Sequence, residues 1–431
     1  MNNLLSLAHN ILLDIIDKDT EGKSLTFGLA IKKAFHNKNI AGDMKGNATA
    51  LVGCAMRHQI LFDELIARSF GEVSSRVRSG IFLYLSNKLF VTKVEEADAF
   101  EFMKQKFADD NVEFDNELVN KLDESTNDKQ KLVPSEYDAK SLEFLSLRFN
   151  TPLWIVKMWK KQFGPQLSYP ILLANGKGDG SYYRVNTSLI SMENFLKEFP
   201  YFEENTHVPG IVSYVGDKSQ KKANISNNKY IFEYNLGFKK VFDGLDCDPI
   251  RGIAVYTGTV NNSYLELMSI LGKDAKFDLI VKKGEPYFYA KKLVERYGLA
   301  KASLYDAEPS SIITCISKPV HTFIVFPESS DFDQIRVTPD YLYHFKQDSL
   351  DGYLNAQREA LNETSALVED GGNLAYMVST INHKEGKAQI IAFLHEHKEF
   401  HLVEEKQIFP FDKMDCALYY AILKKEEIKD D

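Results

Sequence analysis

The feature that most restricts this chain is the alternation in its second half. From Tyr230 onward, short apolar runs alternate with amphipathic stretches. GIAVYTG, FDLIVK, KASLY, HTFIVF, NLAYMVS and CALYYAILK read as strands. SYLELMSIL, EPYFYAKKLVERYG, residues 350–368 and residues 387–395 read as helices. Strands separated by helices predict a parallel sheet with crossovers, here Rossmann-like. The sharpest strand, Phe323-Ile324-Val325-Phe326, stops at Pro327 and opens into a polar loop. In open α/β sheets that carboxyl edge is where ligands bind. Glu328, Ser329 and Ser330 stand there, and they do not make a recognisable catalytic set.

The first 107 residues contain no strand-like alternation. Leu4, Leu5, Ala8, Leu12, Ile15 and Ile16 keep a helical stripe, as do Leu51, Cys54, Ala55, His58 and Leu61. A last helix is expected around Leu118 to Leu122, followed by a polar linker over residues 123–134. LWIVKMWKKQFG starts a helix after Pro152 and stops at Gly164, with Trp154 and Trp159 read as core anchors. Short strands around one helix follow over residues 176–216, a small α+β unit. At 431 residues, two or three domains are expected.

Net charge is -9, but it is uneven. Residues 141–240 hold 13 Lys+Arg against 8 Asp+Glu, residues 1–140 hold 18 against 22, and residues 241–431 hold 21 against 31. The middle stretch is the net-basic one, and lysines interleaved with aromatics suit RNA phosphate contact and stacking. A solvated lysine-rich face is the alternative.

Several chemistries find no support. The strand-to-helix turn after GIAVYTG has only Gly252 and Gly258, too few for a phosphate-cradling loop. His395, His397 and His401 lack the Glu of an HExxH zinc site and read as a polar helix end, so no metal is expected. Cys54 falls in an amphipathic helix, Cys315 in a strand and Cys416 near the last strand, each read as a small buried hydrophobe. With scattered cysteines, no signal-peptide pattern and no membrane-length apolar run, the expectation is a cytoplasmic protein.

The order of parts resembles the RsmB (Sun) rRNA cytosine-C5 methyltransferases. The resemblance implies an all-α NusB-like domain over residues 1–135, a small α+β RNA-contacting domain over 141–225, and an α/β Rossmann-like S-adenosylmethionine methyltransferase-type domain over 226–431. Met56-Arg57-His58 with Asp63, and Val119 to Leu122, are similar to NusB-type helices. NTPLWIVKMWKKQFG resembles the family's Pro-x-Trp helix, and Tyr183-Arg184-Val185-Asn186-Thr187 its LRVNT strand. By that resemblance Arg184 and Asn186 order or contact RNA, with Lys157, Lys160 and Lys161, and more weakly Lys239 and Lys240, as further RNA contacts.

In the last third the family's reactive groups are replaced. Its Cys-Ala-Ala-Pro-Gly-Gly-Lys-Thr loop becomes Val255 to Asn262, leaving Gly258 as a vestige. The ribose-gripping acid falls at Val281-Lys282-Lys283, and a lysine cannot accept hydroxyl donors. Asp306 remains where the family has an Asp near the adenine. The Pro-Cys motif becomes Pro327-Glu328, and the Thr-Cys motif becomes Val378-Ser379-Thr380. Pro339-Asp340, Gln357 and Glu385 still match the family pattern, as does the closing strand from Met414 through Asp415 to Ala421. Methylation at C5 needs a thiolate to add at C6, and an unactivated Ser or a Glu does not replace it.

The sequence therefore reads as an RNA-binding relative, on rRNA or a ribosome-assembly intermediate, with no catalytic residues at Glu328 and Ser379 and no cofactor expected. Alternatives stay open: a divergent active enzyme using S-adenosylmethionine, a protein-interaction module through the helical domain, or a third domain that only stabilises its neighbours.

Overall fold

The computed structural model describes residues 3–36, 39–128, 131–176, 181–217, 220–226, 228–272, 276–412, 414 and 416–427. Asp415 of the closing-strand resemblance lies outside the described residues. The chain divides into two compact units, Met1–Lys177 with Gln334–Phe345, and Gly178–Asp333 with Lys346–Asp431.

The first unit is helical. Seven helices, from Asn3–Thr20 to Asn116–Thr126, surround one apolar core containing Leu5, Leu12, Leu51, Phe62, Phe82 and Leu122. All six positions of the Leu4 to Ile16 stripe are buried, so helical spacing was a sound guide here. The helix Ser75–Leu89 is capped by Ser74, whose hydroxyl accepts the Val77 amide at 3.2 Å. Leu142–Phe149 ends on Asn150 in the left-handed region, φ 49°. Asn150 Oδ1 then accepts the Ile60 amide at 2.7 Å, tying this helix to the start of Gln59–Ser69. The long helix Leu153–Asn175 is broken where the sequence indicates, at Gly164 (φ 71°, ψ 171°) before Pro165. Trp159 is fully buried, as an anchor should be.

A short strap from the far end of the sequence completes this unit. Gln334–Val337 and Tyr341–His344 are single helical turns. Asp340, almost wholly buried, accepts the Phe27 amide at 2.6 Å. Thr26 makes no side-chain cap for the helix Phe27–Phe35, so a carboxylate 313 residues away satisfies its first donor. Arg57 donates to the carbonyls of Ile335 and Arg336 at 3.4 and 3.1 Å.

The second unit holds two sheets. Strands β1 (Tyr182–Val185), β2 (Phe202–Glu204), β3 (Ile211–Tyr214) and β4 (Ile231–Glu233) form an antiparallel sheet in the order β2-β3-β1-β4. The larger sheet comprises β5 (Ile253–Thr257), β6 (Asp278–Val281), β7 (Ser303–Asp306), β8 (Val320–Phe326), β9 (Val368–Val378), β10 (Phe400–Ile408) and β11 (Leu418–Lys425). Their order is β10-β11-β9-β8-β5-β6-β7. The β5, β6, β7, β8 and β9 pairings are parallel, while β11 joins β9 and β10 antiparallel. Every residue of β8 is buried, which is why it appears as an uninterrupted apolar run rather than an alternating one.

Three expectations are corrected. Cys315 lies in no strand; it follows the 3-10 turn Pro309–Thr314, five residues before β8. His395 and His397 do end the helix Lys387–Glu396, but His401 sits in β10. β10 itself is an additional strand, and because β11 runs antiparallel to both β9 and β10 the sheet is mixed rather than parallel. Edge exposure lets it be rich in Glu and Lys, with a bulge between Leu402 and Glu404, and that hides it from an apolar search.

Candidate functional site

The site begins with four strand ends. Hydrogen bonding continues past them: Gly258 N–H donates to Phe326 C=O at 2.8 Å, Lys282 N–H to Thr257 C=O at 2.9 Å, and Ala307 N–H to Val281 C=O at 3.0 Å. The carboxyl ends of β5, β6, β7 and β8 therefore lie side by side, with their loops leaving from one edge. A Cβ on Gly258 would fall 2.6 Å from the Glu328 amide nitrogen and 3.1 Å from the Pro327 carbonyl carbon. Gly258 is thus needed so that the β5 end can touch the β8 loop. The following loop closes on its own side chains: Asn261 Oδ1 accepts both the amide and hydroxyl of Ser263, at 3.0 and 2.7 Å.

Lys282 leaves the end of β6 and forms an ion pair with Glu328 at the end of β8. Both side chains are about one-third exposed, at 27% and 31%. A partly exposed pair of this kind contributes about 1 kcal/mol or less, roughly a fivefold effect on a competing ligand. The pair alone is not a barrier. It does neutralise Glu328, and it ties the ends of β6 and β8 together by opposite charges.

Behind Glu328 the loops are held by Glu385. This fully buried carboxylate accepts four donors: the Ser330 amide (2.6 Å), Asn382 Nδ2 (2.9 Å), Thr380 Oγ1 (3.2 Å) and Gln357 Nε2 (3.2 Å). Gln357, on the helix Ser349–Ser365, also donates to the Glu328 carbonyl at 2.9 Å. A buried carboxylate with this many donors needs no counter-ion. Beside it, Asp331 occupies a left-handed backbone position, φ 50°. Burial, reinforced by Asp333 and Glu385, pushes its carboxyl up to about 8. Ser379 is buried, and its carbonyl accepts the Asp333 amide at 3.4 Å. Asp306 is exposed at the end of β7.

None of the thiols with a resolved shift is poised for attack. Burial pushes Cys54 and Cys247 up to about 11 and raises Cys315. A thiol so placed is a poor source of thiolate at neutral pH.

The other candidate residues separate into two groups. Arg184 and Asn186 are inward. Arg184 Nε donates to Glu266 Oε2 at 3.1 Å and Nη1 to the Pro209 carbonyl at 3.1 Å. Its head is seated on Gly210, at φ 83°, where a Cβ would lie 1.7 Å from Nη1. Glu266 is buried; burial raises its carboxyl, and Arg184 offsets that. Asn186 is 1% exposed and accepts the Ser188 amide and hydroxyl through Oδ1. Both residues join the small sheet to the helix Glu266–Leu271. The lysines are outward. Lys157, Lys161 and Lys240 are exposed, Lys160 is half-buried, and Lys239 pairs with Asp243.

The sequence does not reveal the Lys282–Glu328 partnership, since 46 residues separate them and neither carries a local signal. Glu385 and Gln357 were visible as matching positions but not as partners. Asp331 was not singled out at all.

No family model matches the chain. In sequence it is similar to ribosomal RNA small subunit methyltransferase B of Vibrio cholerae serotype O1, 30% identical over 98 residues. That match takes in 21% of this chain and 23% of the relative, so the chain spans about a quarter of that protein's length. In structure it is similar to PH0851, with TM-score 0.72 and 17% identity over 98% of both chains. A methyltransferase homolog protein from Pyrococcus horikoshii gives TM-score 0.57 and 13% identity, covering 66% of this chain and 99% of the other. NSun6 from Pyrococcus horikoshii, solved with SFG, gives 0.54 and 12%, covering 65% and 99%. At such identities the likeness is one of fold. A helical amino-terminal region and a Rossmann-like domain with a mixed seven-stranded sheet give this chain the multidomain fold that it shares with PH0851.

Proposed function

We propose that this protein is an RNA-binding relative of the RsmB-type rRNA methyltransferases that does not transfer a methyl group. The observation that carries this is Glu328: it stands where the resembled family has the cysteine of its Pro-Cys motif, and it is paired with Lys282. A carboxylate so engaged cannot add to cytosine C6 as a thiolate does. Gly258 supports the reading, because contact with the β8 loop is enough to account for its missing side chain.

In this reading residues 1–135 act as a NusB-like domain, 141–225 as the RNA-contacting domain and 226–431 as the methyltransferase-type domain. Lys157, Lys160, Lys161 and Lys240 provide phosphate contacts, with Lys239 as a weaker one, while Arg184 and Asn186 order the surface that presents RNA. The setting is cytoplasmic, on rRNA or an assembly intermediate, and the helical domain is the surface for any protein partner. No helix among the described residues is long and apolar enough to cross a membrane.

Two titrations test the proposal. Calorimetry with S-adenosylmethionine is expected to show no binding heat. Gel-shift with rRNA helices is expected to show salt-dependent binding, and Lys157→Glu with Lys161→Glu should weaken it and reduce the salt slope by about 2. Saturable S-adenosylmethionine binding with methyl transfer to cytosine establishes the active alternative instead.

A further inference from the structure

The seven-stranded sheet has a second concavity at the opposite ends of its strands. A cleft of about 390 Å³ lies where the chain enters β5, β6 and β8. It shares no residue with the Lys282–Glu328 edge. Its size falls in the range of small-molecule sites.

The lining carries charged and hydroxyl groups. Arg251 and Lys318 supply cations, and Thr314 and Ser317 supply hydroxyls. Arg251 is shared with Glu369, whereas Lys318 is exposed and has no ion-pair partner among the described residues. Asp278 and Tyr305 also line the cleft, with the Tyr305 hydroxyl donating to Asp278 Oδ1 at 3.4 Å. Burial raises the Asp278 carboxyl, so a donor reaching it is worth more than one meeting a solvated acid. The Tyr305 ring gives a planar wall.

We propose that this cleft binds a nucleoside monophosphate unit carrying an exocyclic amine. The phosphate goes to Lys318 and Arg251, the base lies on Tyr305, and the amine donates to Asp278. Two cations, the Ser317 hydroxyl, a carboxyl acceptor and an aromatic side chain lining one cleft are the set such a unit satisfies. The unit comes either from a free nucleotide or from a nucleotide within an RNA strand.

The test uses the full chain, with AMP, CMP and UMP titrated calorimetrically up to about 5 mM. AMP or CMP is expected to saturate, and UMP, which lacks the amine, to bind about tenfold more weakly. Lys318→Glu lies on the surface and Asp278→Asn is isosteric; each is expected to weaken AMP or CMP about tenfold. A single-stranded RNA oligonucleotide that also loses affinity in Lys318→Glu identifies an RNA nucleotide as the ligand; an oligonucleotide that does not identifies the free nucleotide. Absence of saturable AMP and CMP binding, or binding unchanged in both variants, overturns the proposal. Neither result depends on S-adenosylmethionine, so this cleft and the proposed lack of methyl transfer fail separately.

Discussion

At the scale of single residues, the edge of the large sheet is set by Gly258, Asp331 and Glu328. Gly258→Ala places a Cβ against the backbone of the β8 loop, which cannot yield as a flexible side chain can. It is expected to lower stability by about 1–3 kcal/mol in urea unfolding. The sequence showed Gly258 as a leftover of a cofactor loop; its contact partner, 70 residues away, is what a local reading cannot see.

Asp331 makes a pH-dependent prediction. Its carboxyl titrates near 8 in the folded chain, against about 4 when unfolded. The folded state holds the proton more tightly, so this group's stabilising contribution is complete below about pH 4. It declines as pH rises and is lost above about 8. Asp331→Asn, which also tolerates a left-handed backbone, is therefore expected to gain stability over the parent progressively from pH 5 to about 8, then hold level. Melting temperatures across that range check it; a gap independent of pH contradicts the assignment.

Among elements, the loops after β8 and β9 act as one piece because Glu385 links them to the helix Ser349–Ser365 through Gln357. Glu385→Ala leaves several buried donors unpaired and is expected to cost about 3 kcal/mol or more. Hydrogen exchange should rise at Ser330 and through the 379–385 loop while the helical unit keeps its protection. A uniform rise over the whole chain would show that the linkage is global rather than local. Elements with a strong period were legible: the buried stripe of Asn3–Thr20 and the continuous core strand β8 fell where the pattern put them. β10 was not, because an edge strand has no need to look apolar. Arg184 and Asn186 were legible as important and not as buried, since an ion pair to Glu266 leaves no trace in the LRVNT-like stretch.

At the scale of the whole molecule, the two units are each continuous in space and interleaved in sequence. The strap Gln334–Phe345 belongs to the helical unit, although it is flanked on both sides by segments of the other. Asp340→Asn keeps one acceptor for Phe27 but removes the charge at the helix start, and is expected to cost about 0.5–1 kcal/mol. Asp340→Ala should cost more, about 1–2 kcal/mol, read as a shift in the denaturation midpoint. No composition shift or linker marks this exchange, so a local reading of the sequence does not show it.

That interleaving has a temporal side. During synthesis the amino-terminal helices leave the ribosome long before residues 334–345 have been made, so Phe27 and Arg57 must wait for their partners. The helical unit can reach its final state only after most of the chain has been translated, and until then its unfinished surface is what a chaperone would meet.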